Sequence, residues 1–218
     1  MKKSVLLVLM TLFAAAASAE GLALSGKAGT LGMGLELTEG FSDRFAGRLG
    51  FNTFNYNTNA TKSSVNYDLK LQLQTASALV DWYPMHGAFR ATTGLYYNDN
   101  KFSLVGKPTG GVFTLGGQSF NATDIGSVNG TVTFNKVAPY IGLGWGSPTE
   151  QGKGWGLVSD FGVLVQGQPN TTLDATCTNP AICTQLQAQV TTERSNLQSS
   201  LSNFKLYPVA TVGVSYQW

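Results

Sequence analysis

The chain closes on Leu206-Tyr207-Pro208-Val209-Ala210-Thr211-Val212-Gly213-Val214-Ser215-Tyr216-Gln217-Trp218, and the period of this stretch decides the fold. Pro208, Ala210, Val212, Val214, Tyr216 and Trp218 share one face; Tyr207, Val209, Thr211, Gly213, Ser215 and Gln217 share the other. Strand side chains point alternately to opposite faces, so the run reads as a β-strand with one apolar side.

The same period recurs toward the N-terminus. Trp155 to Gln166 sets Trp155, Leu157, Ser159, Phe161, Val163 and Val165 against Asp160 and Gln166. Gly130 to Trp145 reads as one strand with Pro139, Ile141, Leu143 and Trp145 on its apolar side. Phe89 to Tyr97 opposes Phe89, Ala91, Thr93, Leu95 and Tyr97 to Arg90. Tyr67 to Tyr83 is a long strand whose apolar phase switches near Thr75, which suggests a bulge. Phe45 to Tyr56 precedes it across a polar loop, 57 to 66. Gly21 to Thr38 divides near Gly29-Thr30-Leu31-Gly32, where glycine tolerates a tight turn. Lys27 and Glu36 then fall on the polar faces of two short strands; one long strand is the competing reading.

The N-terminus reads as an export signal: Lys2 and Lys3, an apolar run from Val5 to Phe13, then Ala17-Ser18-Ala19 before a cut at Glu20. That run is too short to span a membrane, which takes about 20 apolar residues. The signal occupies 1–19 and a single domain 20–218. Without Lys2 and Lys3 the mature chain carries 12 basic and 12 acidic residues, with no basic stripe to bind nucleic acid. Charged residues are 12% of the whole, about half the share of a soluble domain, which suits an exterior facing lipid.

In lipid only helices and closed barrels satisfy every backbone N–H and C=O. No later segment reads as a spanning helix, so the strands predict a closed antiparallel transmembrane β-barrel, of eight strands if the first stretch is a hairpin. Its turns sort by length. Short ones at about 39–43, 84–88 and 147–154 lie on the periplasmic side. Long connections at 57–66, 99–130 and 167–205 lie outside. Lys27, Glu36, Arg48, Arg90 and Asp160 fall on the inner face, with Leu, Val and Phe opposite. The aromatic end, Tyr216 and Trp218, looks like the signal read by the outer-membrane insertion machinery.

Ser119-Phe120-Asn121-Ala122-Thr123 with Gly130 shortly after, and Val137-Ala138-Pro139-Tyr140-Ile141-Gly142-Leu143-Gly144, carry a resemblance. So do Trp155-Gly156, Gly167-Gln168-Pro169, Leu206-Tyr207-Pro208-Val209 and Val212 to Trp218. In order and spacing these resemble the CarO-type barrels, associated with carbapenem susceptibility and sometimes called ornithine porins. The match runs from about residue 117 to the end, apart from the last long loop; residues 20 to 100 are similar only loosely. The resemblance implies an eight-stranded outer-membrane barrel and suggests passage of small solutes, amino acids among them. It brings no substrate motif.

Cys177 and Cys183, alone in the chain and in the last outer loop, are expected to form a disulfide in an oxidising compartment. Gln185 to Phe204 reads as a helix through Leu186, Val190, Leu197, Leu201 and Phe204, either a cap on the barrel rim or a lid or partner-binding helix. The mixed inner charges read as salt-bridged filling by default and as a narrow polar path otherwise. The lone histidine, His86, falls in a periplasmic turn, so no Ser-His pair can form at the outer leaflet and no enzyme is expected. Neither metal nor cofactor is implied. The expected partners are outer-membrane lipid and lipopolysaccharide, the insertion machinery and a small solute. The expected function is a small-solute channel; a non-conducting barrel acting through its outer loops is the alternative.

Overall fold

The computed structural model describes residues 21–62, 65–85, 87–108, 110–146 and 153–218. The expected export signal, His86 and most of the 147–154 turn lie outside these residues. Eight antiparallel strands close a ring: β1 (Leu22–Gly29), β2 (Gly32–Ser42), β3 (Phe45–Lys62), β4 (Val65–Trp82), β5 (Phe89–Asn98), β10 (Val137–Trp145), β11 (Gly154–Val165) and β13 (Leu206–Gln217). Pairing of β1 with β13 and of β4 with β5 completes it. The first stretch is a hairpin turning at Thr30-Leu31, with Gly29 opposite Gly32. Its second strand runs on to Ser42, so the turn expected at 39–43 shrinks to Asp43-Arg44.

The outer connections are not loops. β3 and β4 continue past the ring as an unbroken ladder up to Lys62 opposite Val65, which replaces the polar loop expected at 57–66. The upper half of β4 pairs with β6 (Lys101–Pro108), β6 with β9 (Ile125–Thr133), and β9 with β12 (Asn170–Cys177). The stretch expected as one strand, Gly130 to Trp145, is therefore two: β9 in this outer sheet and β10 in the ring, separated by Phe134 to Lys136. Lys136 donates to the Asp99 carboxylate, tying that break to the one between β5 and β6 and holding the ammonium above the usual lysine pKa. The hairpin of β7 (Val112–Leu115) and β8 (Gln118–Asn121) and the helix α1 (Cys183–Ser200) complete the outer part.

β4 shows why the two parts differ. Its register against β3 never shifts, so there is no bulge at Thr75. Leu73, Thr75, Ser77, Leu79 and Asp81 all point inward, and the alternation holds throughout. What switches is the surroundings. Below Thr75 the outward residues are Ala76, Ala78, Val80 and Trp82; above it they are Gln74, Gln72, Lys70, Asp68 and Asn66. A strand leaving lipid for water must exchange apolar for polar on its outer face without changing its pleat.

Around the ring the outward side chains stay exposed and apolar, among them Leu35, Leu49, Ile141, Leu143, Leu157 and Phe161. A belt of that extent is not stable against water and fits a hydrocarbon surroundings. Aromatic rings flank it toward the chain ends, where Phe89 packs on Trp145, and Tyr216 on Trp155 and Trp218. The outer sheet has its own core of Leu115, Phe120, Ile125, Val128, Leu173, Ala175, Leu186 and Val190. The helix thus packs on β12 and the small hairpin rather than on the barrel rim. It spans Cys183–Ser200, and Phe204 is exposed.

Candidate functional site in the barrel interior

In an eight-stranded barrel the inward side chains meet at the axis and fill it. All five inner charges anticipated from the sequence reach one cluster, through a parity that β1, β2, β3, β5 and β11 each enforce separately. Lys27 Nζ lies 2.5 Å from Glu36 Oε1 and 2.7 Å from Asp160 Oδ2. Arg90 Nη2 lies 2.7 Å from Asp160 Oδ1 and also donates to the Ser159 carbonyl, while Nη1 donates to the carbonyl of Gly146. Arg48 sits at the hub. Its Nη1 is 2.9 Å from Glu36 Oε1 and 3.1 Å from Asp160 Oδ1.

The sixth member, Asp81, went unrecognised in the sequence. Arg48 Nη2 donates to Asp81 Oδ1 at 3.0 Å, and Nε stands 2.8 Å from Oδ2 as an ion pair. Thr92 Oγ1 donates to Asp81 Oδ1 at 2.6 Å, and Arg90 Nε stands 3.5 Å from Oδ2. A signal was present: three inner cations against two carboxylates leaves one buried charge unbalanced, and a buried charge needs a partner. With Asp81 the cluster holds three cations and three anions and is neutral.

Glycine makes the room. A methyl group on Gly144 would lie 2.7 Å from Arg90 Nε and 2.8 Å from Asp160 Oδ1, so only a bare Cα lets that pair cross the wall. On the side of the chain ends, Ser25, Thr38, Ser215 and Gln217 border a cavity of about 20 Å³, room for about one water.

On the opposite side the network is capped by an apolar layer: Leu31, Leu79, Tyr96, Ala138, Tyr140, Leu164 and Val209. Tyr96 and Tyr140 meet edge to face at 5.4 Å. Leu31 is the unusual member. It belongs to a two-residue turn, yet it is 1% exposed because the turn folds into the lumen. Thr30 holds it there: its Oγ1 donates to the Pro208 carbonyl and accepts from Ala210 N–H, and its own carbonyl accepts from Tyr207 Oη at 2.6 Å.

The remaining expected residues lie elsewhere. Cys177 and Cys183 are joined as a disulfide at the foot of α1 in the outer sheet. Tyr216 and Trp218 sit on the outer wall near the chain ends.

No protein-family model matches this chain, and no curated protein does. Among the solved structures that resemble it are two CarO proteins. Acinetobacter baumannii CarO2 superposes with a TM-score of 0.57 at 23% identity, over 90% of this chain and 98% of that one. Acinetobacter baumannii CarO superposes with a TM-score of 0.56 at 22% identity, over 91% and 98%. The chain has the fold of these proteins.

Proposed function

We propose that this chain, built on the fold of the CarO proteins, is an outer-membrane barrel that is shut at rest and passes small solutes when its interior charge network rearranges. The observation that carries the reading is the hub position of Arg48, within hydrogen-bond distance of Glu36, Asp81 and Asp160. A solute bearing its own charges can replace one of these contacts with another, so opening the network to it leaves no carboxylate or guanidinium unpaired. A neutral, mixed-sign cluster favours small zwitterionic or dipolar solutes over simple ions of either sign. The exposed apolar belt supports the membrane assignment.

A second reading rests on a different observation. The buried layer around Leu31 and Tyr140 closes the lumen mostly with hydrocarbon, the hydroxyls of Tyr96 and Tyr140 being its polar groups. On that reading the barrel is an anchor and the outer sheet does the work. Uptake of radiolabelled glycine, lysine and glutamate into proteoliposomes separates the two. Flux that exceeds that of empty vesicles and changes with Arg48→Lys supports passage. Flux equal to empty vesicles, with insertion verified by heat-modifiable gel mobility, supports the anchor.

A further inference from the structure

The outer sheet has two edges, and the chain treats them differently. At β12 the helix α1 covers the edge with side chains. Gln187 Nε2 donates to the Ala175 carbonyl, Arg194 Nε donates to the Thr171 carbonyl, and Gln198 Oε1 accepts from Thr171 N–H, each at 3.0 Å. These three residues recur at helical spacing along one side of α1 and do for β12 what a neighbouring strand would do.

At the other edge nothing comparable occurs. The ladder between β2 and β3 stops at Met33 opposite Thr53. β3 then runs nine residues further, Phe54 to Lys62, about 30 Å of strand paired only with β4 among the described residues. Among the described residues of this edge, the usual protections are confined to Lys62 at its end. From Phe54 to Thr61 there is no charge and no proline, and the register against β4 is continuous. Parity with Arg48 and Asn52 places Phe54 and Tyr56 on the inner side, where Tyr56 remains 55% exposed; Asn55, Asn57 and Asn59 lie outward.

We propose that this edge receives an extended polypeptide segment of another protein, added to the outer sheet as one more strand. Unpaired backbone N–H and C=O groups in a row specify a strand as the occupant. The two faces specify its pattern: apolar side chains beside Phe54 and Tyr56, alternating with polar ones beside the asparagines. A second copy in the same membrane does not fit. Barrel strands tilt about 35–45° from the membrane normal, so a two-fold axis along the normal would cross two β3 strands at roughly 80°, too steep for a ladder. This inference is independent of whether the lumen conducts.

The test uses the refolded protein in nanodiscs and a synthetic peptide with the sequence of residues 65–73, an alternating segment that β3 already accepts on its other side. A second peptide is N-methylated at every other residue, which removes the pairing N–H groups and keeps the side chains. Expected is saturable binding of the plain peptide, with exchange of the alternate, edge-facing amides of Phe54 to Thr61 slowed at least about tenfold, and no binding of the methylated one. No binding at millimolar peptide, binding that survives methylation, or protection confined to residues outside β3 would overturn the proposal. So would protection of the same amides without peptide in a sample that sediments as a dimer, since the occupant would then be a second copy.

Discussion

Arg48 and Asp81 form a two-point ion pair, Nε to Oδ2 at 2.8 Å and Nη2 to Oδ1 at 3.0 Å, at a place where Asp81 is wholly buried. The pair joins β3 to β4 inside the ring and brings Arg90 and Thr92 of β5 with it. Removing one half strands the other. Asp81→Ala should therefore cost about 3–5 kcal/mol, as loss of one partner in a buried pair does. Urea unfolding in lipid vesicles measures it. The double variant Arg48→Met/Asp81→Leu should recover much of the loss, because it leaves neither of the two charges unpaired with the other.

Gly144 faces the Arg90–Asp160 contact at a distance that leaves no space for a methyl group. Gly144→Ala should destabilise the barrel by about 1–3 kcal/mol through overpacking. A lower temperature for the loss of the compact gel band reads the effect. Unchanged heat modifiability would mean that the pair can move aside freely.

Leu31 closes the lumen from the first hairpin turn. Leu31→Ala should cost about 2–5 kcal/mol by leaving a cavity among Leu79, Tyr96, Tyr140, Leu164 and Val209. The side chain lies across the axis, so the same variant should also raise solute flux. Stability lost without any gain in flux would assign Leu31 to packing alone.

The disulfide joins residues six apart, so it restricts a short loop and should stabilise locally by about 2 kcal/mol. Its place is the foot of α1, on β12 and away from the ring. Replacing both cysteines with serine should speed proteolysis within Cys183–Ser200 and leave the heat-modifiable ring intact. Loss of the compact gel band would show that the ring depends on the bridge.

The ring was legible because lipid imposes one rule on it. Residues such as Val212, Ile141 and Leu95 must be apolar outside, so period two shows plainly in β13, β10 and β5. The outer sheet obeys a different rule, with water outside and a thin core within, and its strands carry few apolar residues. Phe102, Leu104 and an out-of-phase Val105 are all that marks β6, so the stretch reads as a connection. β9 and β10 lie nearly end to end in one wall, which merged them in the sequence. The reversal at Thr75 belongs to the boundary between lipid and water, and reading it as a bulge left the face of Asp81 unassigned. Hydrogen bonds from Gln187, Arg194 and Gln198 to β12 leave no trace in a one-dimensional pattern, since each is an ordinary polar helix residue.

Single-channel recording shows whether the barrel is shut at rest and opens when its interior rearranges. Residues 20–218, refolded and inserted in a planar bilayer, are compared with the Leu31→Ala variant. Expected are long closed intervals with rare, small openings in the wild type, and a higher open probability in the variant. A large, steady conductance in the wild type, or silence in both proteins with insertion verified, would contradict this reading.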